Sequence, residues 1–298
     1  MHDRGFIMQV ILSEEQRNAF FSDGYLVVAN AVTNDELKAM QEARAQWVEE
    51  SRAHDSPYGP ATIDGRPRFD MGTEHTPDHP ALRRINNPSD IYPAYTQVMR
   101  HSNVPDMVAD LIGPNIKFHH CKINLKCPGS ATTVHYHQDF GFTPHSNDDV
   151  VTALILLDDM TLENGCLMVV PGSHKGPLYS LFSGDQFVGR IPAHDEEILQ
   201  KQAVPIVGQA GSVCLMHTRL LHGSEANSST QARGLYICVY SAEDAVPMAP
   251  NPMPNTSEGN IIRGHKTGKA RMMELSFELP RQPKSASFFT VQGQASAR

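Results

Sequence analysis

The sequence predicts a mainly β protein, a sandwich or barrel of short strands with helices flanking it. Three observations lead there. From Ile116 to about residue 242 the chain holds a succession of short strand-like runs with no helical pattern alternating between them, which argues against a parallel α/β sheet. Ahead of them, two capping boxes open helices. The size and composition, 298 residues with 40% hydrophobic and 19% charged, suit a globular chain with a sizeable core.

Taken in order, Ser13-Glu14-Glu15-Gln16 is the first capping box, opening a short helix through Phe20 and Phe21. Gly24 to Val28 reads as a strand. Thr33-Asn34-Asp35-Glu36 is the second box; Leu37, Met40, Ala43 and Trp47 then follow helical spacing, which makes Trp47 a core residue. Residues 54–90 carry repeated Pro and Gly without periodicity and read as a long loop, of the kind that often serves as a lid. Ile91 to Gly113 is helical with a break at Pro105. The strand candidates are Lys117–Lys126, Ala131–Phe140, Val150–Leu157, Cys166–Val170, Val204–Val207, Ser212–Met216 and Gly234–Tyr240. Turn signals such as Glu163-Asn164-Gly165 and Pro171-Gly172-Ser173 bound them. Residues 176–203 and 245–263 form further insertions, and the basic run Arg263 to Arg271 is expected to fold back on the core. No boundary interrupts the chain. One domain over 1–298 is expected, with a helical part at about 12–113, a β core at about 116–242 and a loop and tail at 243–298.

A net charge of -8 argues against nucleic acid as a partner, and no apolar run is long enough to span a bilayer. The N-terminus lacks the pattern of a signal peptide. Five scattered cysteines with no C-x-x-C read as reduced thiols in a cytoplasmic protein without structural zinc.

The chemistry concentrates in Val134-His135-Tyr136-His137-Gln138-Asp139-Phe140. On an extended strand His137 and Asp139 share a face, so an imidazole nitrogen and a carboxylate oxygen converge as two ligands of a divalent metal. Roughly two His-x-Asp/Glu matches are expected by chance, so the pair alone is weak. The other match, His194-Asp195-Glu196, sits in a charged, helix-like segment that reads as a solvated face. His135 shares the strand face of His137, which leaves a cupin-like His-x-His pair open, a binding or sensing protein without O2 chemistry. A metal hydrolase or isomerase on the same scaffold is a further alternative. His217 and His222 are the candidates for a third ligand. Centring the turn of Asn227-Ser228-Ser229-Thr230 between Asn227 and Ser228 puts Arg233 opposite His222 on an adjacent strand, with Ser224 on the face of His222. An Arg in an apolar strand needs an anion, either a protein carboxylate such as Glu225 or a ligand carboxylate held bidentately.

These residues, with Asn164-Gly165-Cys166-Leu167, Pro171-Gly172-Ser173-His174-Lys175-Gly176 and the opening Leu12 to Val28, resemble the phytanoyl-CoA dioxygenase family from about residue 12 to about 242. The resemblance implies a double-stranded β-helix (jelly-roll, cupin-like) core, Fe(II), and 2-oxoglutarate and O2 as co-substrates. It implies His137, Asp139 and His222 as iron ligands, Arg233 on the distal carboxylate of 2-oxoglutarate and Ser224 assisting. Lys122 and Asn124, which share a face with His120 and Lys126, are candidates for further cofactor contacts, and Thr152 is another. Related halogenases have a small residue where Asp139 stands, so hydroxylation, desaturation or ring formation is expected of a small-molecule substrate. Phe140 and Phe142 are expected to wall its pocket. His174 reads as a turn residue.

Overall fold

A computed structural model describes residues 10–281 and 287–294; residues 1–9 and parts of the predicted tail, 282–286 and 295–298, lie outside the described residues. Both capping boxes form. Ser13 and Gln16 cap α1 (Glu14–Asp23), and Thr33 and Glu36 cap α2 (Asn34–Ser51), each side chain meeting the other residue's backbone N–H. Between them Gly24, at φ 85, ends α1 and starts β1 (Tyr25–Val28). The predicted loop 54–90 holds two strands, β2 (Phe69–Met71) and β3 (Leu82–Asn86), which extend the main sheet. Helices α3 (Pro93–His101) and α4 (Val104–Ile112) follow. The break predicted at Pro105 falls earlier, at Ser102–Asn103. Pro105 lies in the first turn of α4, where its missing N–H costs no bond.

The remaining elements are β4 (Ile116–Lys126), β5 (Val134–His137), β6 (Val150–Leu156), β7 (Leu167–Val169), β8 (Phe182–Ser183), β9 (Gln186–Phe187), α5 (Ala193–Leu199), β10 (Val204–Ile206), β11 (Val213–His217), β12 (His222–Ser224), β13 (Arg233–Ala242), β14 (Ile261–Arg263) and α6 (Phe288–Gln294). The run predicted as one strand over Ala131–Phe140 is shorter: β5 stops at His137, and Asp139–Gly141 form a single 3-10 turn.

Most strands make two facing antiparallel sheets, and β8 pairs with β9 in a separate two-stranded one. The larger runs β1-β11-β6-β13-β4-β3-β2, with β14 also on β4; the smaller runs β10-β7-β12-β5. Alternation sorts the side chains of the larger sheet. Cys121, Ile123, Tyr236, Cys238, Ala153 and Ile155 face the helices, in one core with Met40, Trp47, Tyr95 and Val98. Trp47 stacks on Tyr95 there, as its helical spacing predicted. Leu154, Leu156, Cys214, Met216, Leu235 and Ile237 face inward and pack on Leu167, Val169 and Ile206 of the smaller sheet. The second of these cores fills the space between the sheets. The basic run does fold back: Arg263 meets Asp106, and Arg271 meets Asp149 and Asp244.

Candidate active site

The smaller sheet supplies the metal-ligand candidates. β12 lies beside β5, with His222 opposite His137. Asp139 follows on the 3-10 turn. His137 Nε2 lies 3.6 Å and His222 Nε2 3.8 Å from Asp139 Oδ1, gaps that an ion about 2.1 Å from each donor can span. The three donors lie within 4.8 Å of one another. Both rings are already oriented. His137 Nδ1 pairs with the carbonyl of His135 at 2.8 Å and His222 Nδ1 with that of Leu220 at 2.9 Å, which puts the proton on Nδ1 and leaves each Nε2 lone pair free. Burial, with His137 alongside, pushes His222 down to about 4, so it is neutral at pH 7. Burial alone would raise Asp139, but its cationic surroundings, Lys122 among them, outweigh it and hold the carboxylate ionised. Thr152 Oγ1 donates to Asp139 Oδ2 at 2.8 Å. The donor set fits a divalent first-row ion with open positions.

The other histidines sit elsewhere. A β-bulge between β5 and β12 puts both Val134 and His137 on the inner face, so strict alternation fails and the His-x-His pair does not form. His135 Nδ1 instead meets Glu196 of α5 at 3.1 Å. His194 lies on α5, which has no buried residue, as its charged pattern predicted. His217 is 4.0 Å from Asp148, and His174 packs beside it, reaching the carbonyl of Phe21 at 3.3 Å.

The larger sheet supplies cations. Its inner face carries Lys122, Asn124 and Lys126 on β4 and Arg233 on β13, with Arg233 in register with Lys126. The hairpin predicted to join His222 and Arg233 does not form. β12 pairs with β5 and β7, β13 with β4 and β6, so the two residues face one cavity from opposite sheets. Glu225 is exposed and is not the partner of Arg233, whose Nε and Nη2 donate to the carbonyl of Gly165 at 3.2 and 2.7 Å. Among the described residues Arg233 forms no ion pair, though it is 3% exposed. Gly165 has φ +73, and a Cβ there would meet the Glu225 carbonyl oxygen at 2.5 Å; the anchor for Arg233 needs glycine. Ser224 Oγ accepts from Lys126 Nζ at 2.9 Å. Burial and the neighbouring Arg233 push Lys126 down to about 6. Asn124 Oδ1 accepts from Arg84 Nε at 3.0 Å.

A cavity of about 600 Å³ opens beside the triad, lined in part by His120, Lys122, His137, Asp139, Phe142 and Phe288. Residues 54–90 contribute Pro57 and Arg66 to it and 245–263 contribute Pro252 and Met253; residues 176–203 do not reach it. Phe142 packs edge-on against His137 at 5.5 Å. Phe140, expected beside it, does not line the cavity: it is fully buried against Phe277, because successive residues of a 3-10 turn point in different directions. Three participants were not singled out in the sequence. Arg84 lay in a segment without strand periodicity. Lys126 was placed on the right face but not chosen. Phe288, 5.4 Å from the His137 ring, comes from a distant helix that nothing local links to the site.

The profile of the phytanoyl-CoA dioxygenase (PhyH) family matches residues 20–235. A probable alpha-ketoglutarate-dependent hypophosphite dioxygenase of Stutzerimonas stutzeri is 36% identical over 203 residues, 67% of this chain and 71% of that protein. The peroxisomal phytanoyl-CoA dioxygenase of Rattus norvegicus is 28% identical over 266 residues, 85% and 74% of the two chains. The crystal structure of EctD from S. alaskensis with 2-oxoglutarate and 5-hydroxyectoine has the same fold, with a TM-score of 0.64 at 22% identity, over 94% of this chain and 86% of that one. Triad, fold and family profile agree, and the chain belongs to the phytanoyl-CoA dioxygenase family as a non-haem Fe(II)- and 2-oxoglutarate-dependent dioxygenase.

Proposed function

We propose that this dioxygenase hydroxylates a C–H bond of a small molecule, with Fe(II) held by His137, Asp139 and His222 and the distal carboxylate of 2-oxoglutarate held by Arg233. The observation that carries this reading is a buried arginine with no ion-pair partner among the described residues, facing three metal donors from the opposite sheet. A small-molecule substrate is supported by the cavity's size and by the names of the relatives, which point to hypophosphite and phytanoyl-CoA.

When bound, iron with O2 supplies the oxidising chemistry: 2-oxoglutarate becomes succinate and CO2, and the second oxygen atom enters the substrate as a hydroxyl. The chain's own residues bind and orient. Arg233 grips a planar carboxylate that Lys could not match, and Ser224, held by Lys126, offers its hydroxyl beside it. Thr152 occupies Asp139 Oδ2 and so leaves Oδ1 toward the metal. Leu154, Met216, Leu235 and Ile237 line the co-substrate pocket and keep water from it. Asp139 fills the ligand position that a halide would need, which favours hydroxylation.

The test is chelator-sensitive succinate release, with iron content measured on the same samples. His137→Ala, Asp139→Ala and His222→Ala are expected to lose iron and activity, whereas His135→Ala and His194→Ala keep both. Iron retained by Asp139→Ala but lost by His135→Ala would refute the ligand assignment. No chelator-sensitive succinate from folded, iron-loaded protein would refute the oxygenase reading.

A further inference from the structure

The C-terminal helix α6 touches both sheets and an iron-ligand candidate, and the proposed reaction gives it no part. At its start it is fastened to the larger sheet. Ser287 Oγ donates to Asp70 Oδ2 of β2 at 2.7 Å, and the Arg83 guanidinium carbon of β3 lies 5.0 Å from the centre of the Phe289 ring. Further along it is fastened to the smaller sheet. Gln292, 1% exposed, accepts at Oε1 from the backbone N–H of His135 on β5 at 3.1 Å, and its Nε2 donates to the carbonyl of Gly189 at 2.6 Å. Val291 packs in one cluster with Tyr136, Phe187 and Ile191. Between these attachments the Phe288 ring lies 5.4 Å from that of His137 and 5.5 Å from that of Phe142. Phe288 lines both the large cavity and the co-substrate pocket, and Phe289 lines the second.

The co-substrate pocket measures about 50 Å³, a narrow space beside the cavity of about 600 Å³. A dicarboxylate entering so narrow a space needs a wall that yields. Apart from Thr132, the wall residues come from strands of the two sheets, from the turn at Asp139 and from α6. Strands are held in ladders, and parting them breaks several backbone bonds at once. The helix is held differently. It has seven residues, below the roughly 12–15 at which an isolated helix becomes stable. Val291 and Gly293 are weak helix formers, so α6 owes its place to the side-chain attachments at Ser287, Phe289, Val291 and Gln292. An element held by few buried contacts opens at a lower cost than the core does.

We propose that α6 is the gate of the co-substrate pocket. The helix lifts, carrying Phe288 and Phe289 with it, to admit or release 2-oxoglutarate, and it reseats over the pocket whether empty or filled. Closed, it also shields the iron ligands from water. This rests on the dioxygenase reading of the site and adds the element that controls its filling.

A gate and a ligand contact leave different kinetic marks. Losing a contact speeds dissociation alone and weakens affinity. Loosening a gate speeds entry and exit together and leaves affinity nearly unchanged. 2-Oxoglutarate is mixed with iron-loaded, O2-free, full-length protein by stopped flow, with the absorbance of the iron chelate giving the rate. Calorimetry gives the affinity on samples of matched iron content. In the wild-type protein the observed rate should level off as 2-oxoglutarate is raised, at the rate of gate opening. Gln292→Ala keeps both phenylalanine rings and removes the bonds to His135 and Gly189. Its plateau should rise about tenfold or more while affinity stays within about threefold. Phe288→Ala should raise the plateau as well. A wild-type rate that climbs linearly without a plateau overturns the proposal, and that measurement needs no variant to fold. An unmoved plateau in folded Gln292→Ala overturns it too and passes the gate to the loop that carries Thr132. So does a loss of affinity carried by dissociation alone. Absence of any 2-oxoglutarate binding would overturn the dioxygenase reading along with the gate, whereas binding at an unchanged rate overturns the gate only.

Discussion

Replacing Arg233 with Lys tests the co-substrate anchor most directly. The side chain is buried, and its Nε and Nη2 share the Gly165 carbonyl at 3.2 and 2.7 Å, which fixes the guanidinium plane and leaves its remaining N–H groups for a ligand. Lysine loses the plane and the second prong. It also loses charge, because burial and a neighbouring cation already push Lys126, its register partner, down to about 6. A second ammonium there meets the same opposition. The loss of one charge-assisted hydrogen bond is about 1.5–3 kcal/mol, so 2-oxoglutarate affinity should fall roughly ten- to a hundred-fold. The variant also leaves the Gly165 carbonyl short of a donor, a stability cost of about 1–3 kcal/mol. Affinity must therefore be measured on folded protein, by titrating 2-oxoglutarate into the iron-loaded, O2-free variant well below its melting temperature. Unchanged affinity in folded Arg233→Lys would refute the assignment and leave Gly165 as the whole reason for the arginine.

Thr152→Val removes the hydroxyl that donates to Asp139 while keeping the side chain's shape, so iron should bind roughly ten-fold more weakly; unchanged iron affinity in a metal-competition assay would show that Asp139 needs no such support. A pH dependence follows from the buried pair His119 and His145, pushed down by burial to about 3 and about 4. Both are neutral when folded and gain protons only on unfolding once the pH drops below the ordinary histidine value of about 6.5. Stability should hold above that pH and decline as the pH falls from there toward 4, each histidine adding about 1.4 kcal/mol per pH unit within its window. His145→Gln should flatten the slope in urea unfolding at pH 7, 6 and 5, and an unchanged slope would rule His145 out as a contributor.

How far the site could be read depended on how local its signals were. A capping box is complete within four residues, and both were found where Ser13 and Thr33 stand. Strand alternation is local too, and it correctly put Lys122, Asn124 and Lys126 on one face of β4. It failed at His135, where a bulge that depends on the pairing with β12 breaks the period. β12 itself is three residues long, too short for a pattern, and its neighbours β5 and β7 are distant in sequence, so a local hairpin was the wrong geometry for Arg233. The strands β2 and β3 lie in a stretch of Pro, Gly and charge, and only pairing through β3 onto β4 makes them strands. That hid Arg84. The choice between Phe140 and Phe142 turned on a 3-10 turn whose rotation no spacing rule specifies.

The proposed iron ligands belong to one sheet and the proposed anchor of the co-substrate to the other. On this reading the metal donors come only from β5, β12 and the turn after β5. 2-Oxoglutarate, held at both ends as proposed, would tie the two layers together like a rivet through two plates. Its arrival should slow any sliding of one layer over the other, and hydrogen exchange should drop on both β12 and β13 at once. Iron alone should protect only β12. The order of loading would then be set by the architecture, with the metal seated first and the organic acid closing the assembly.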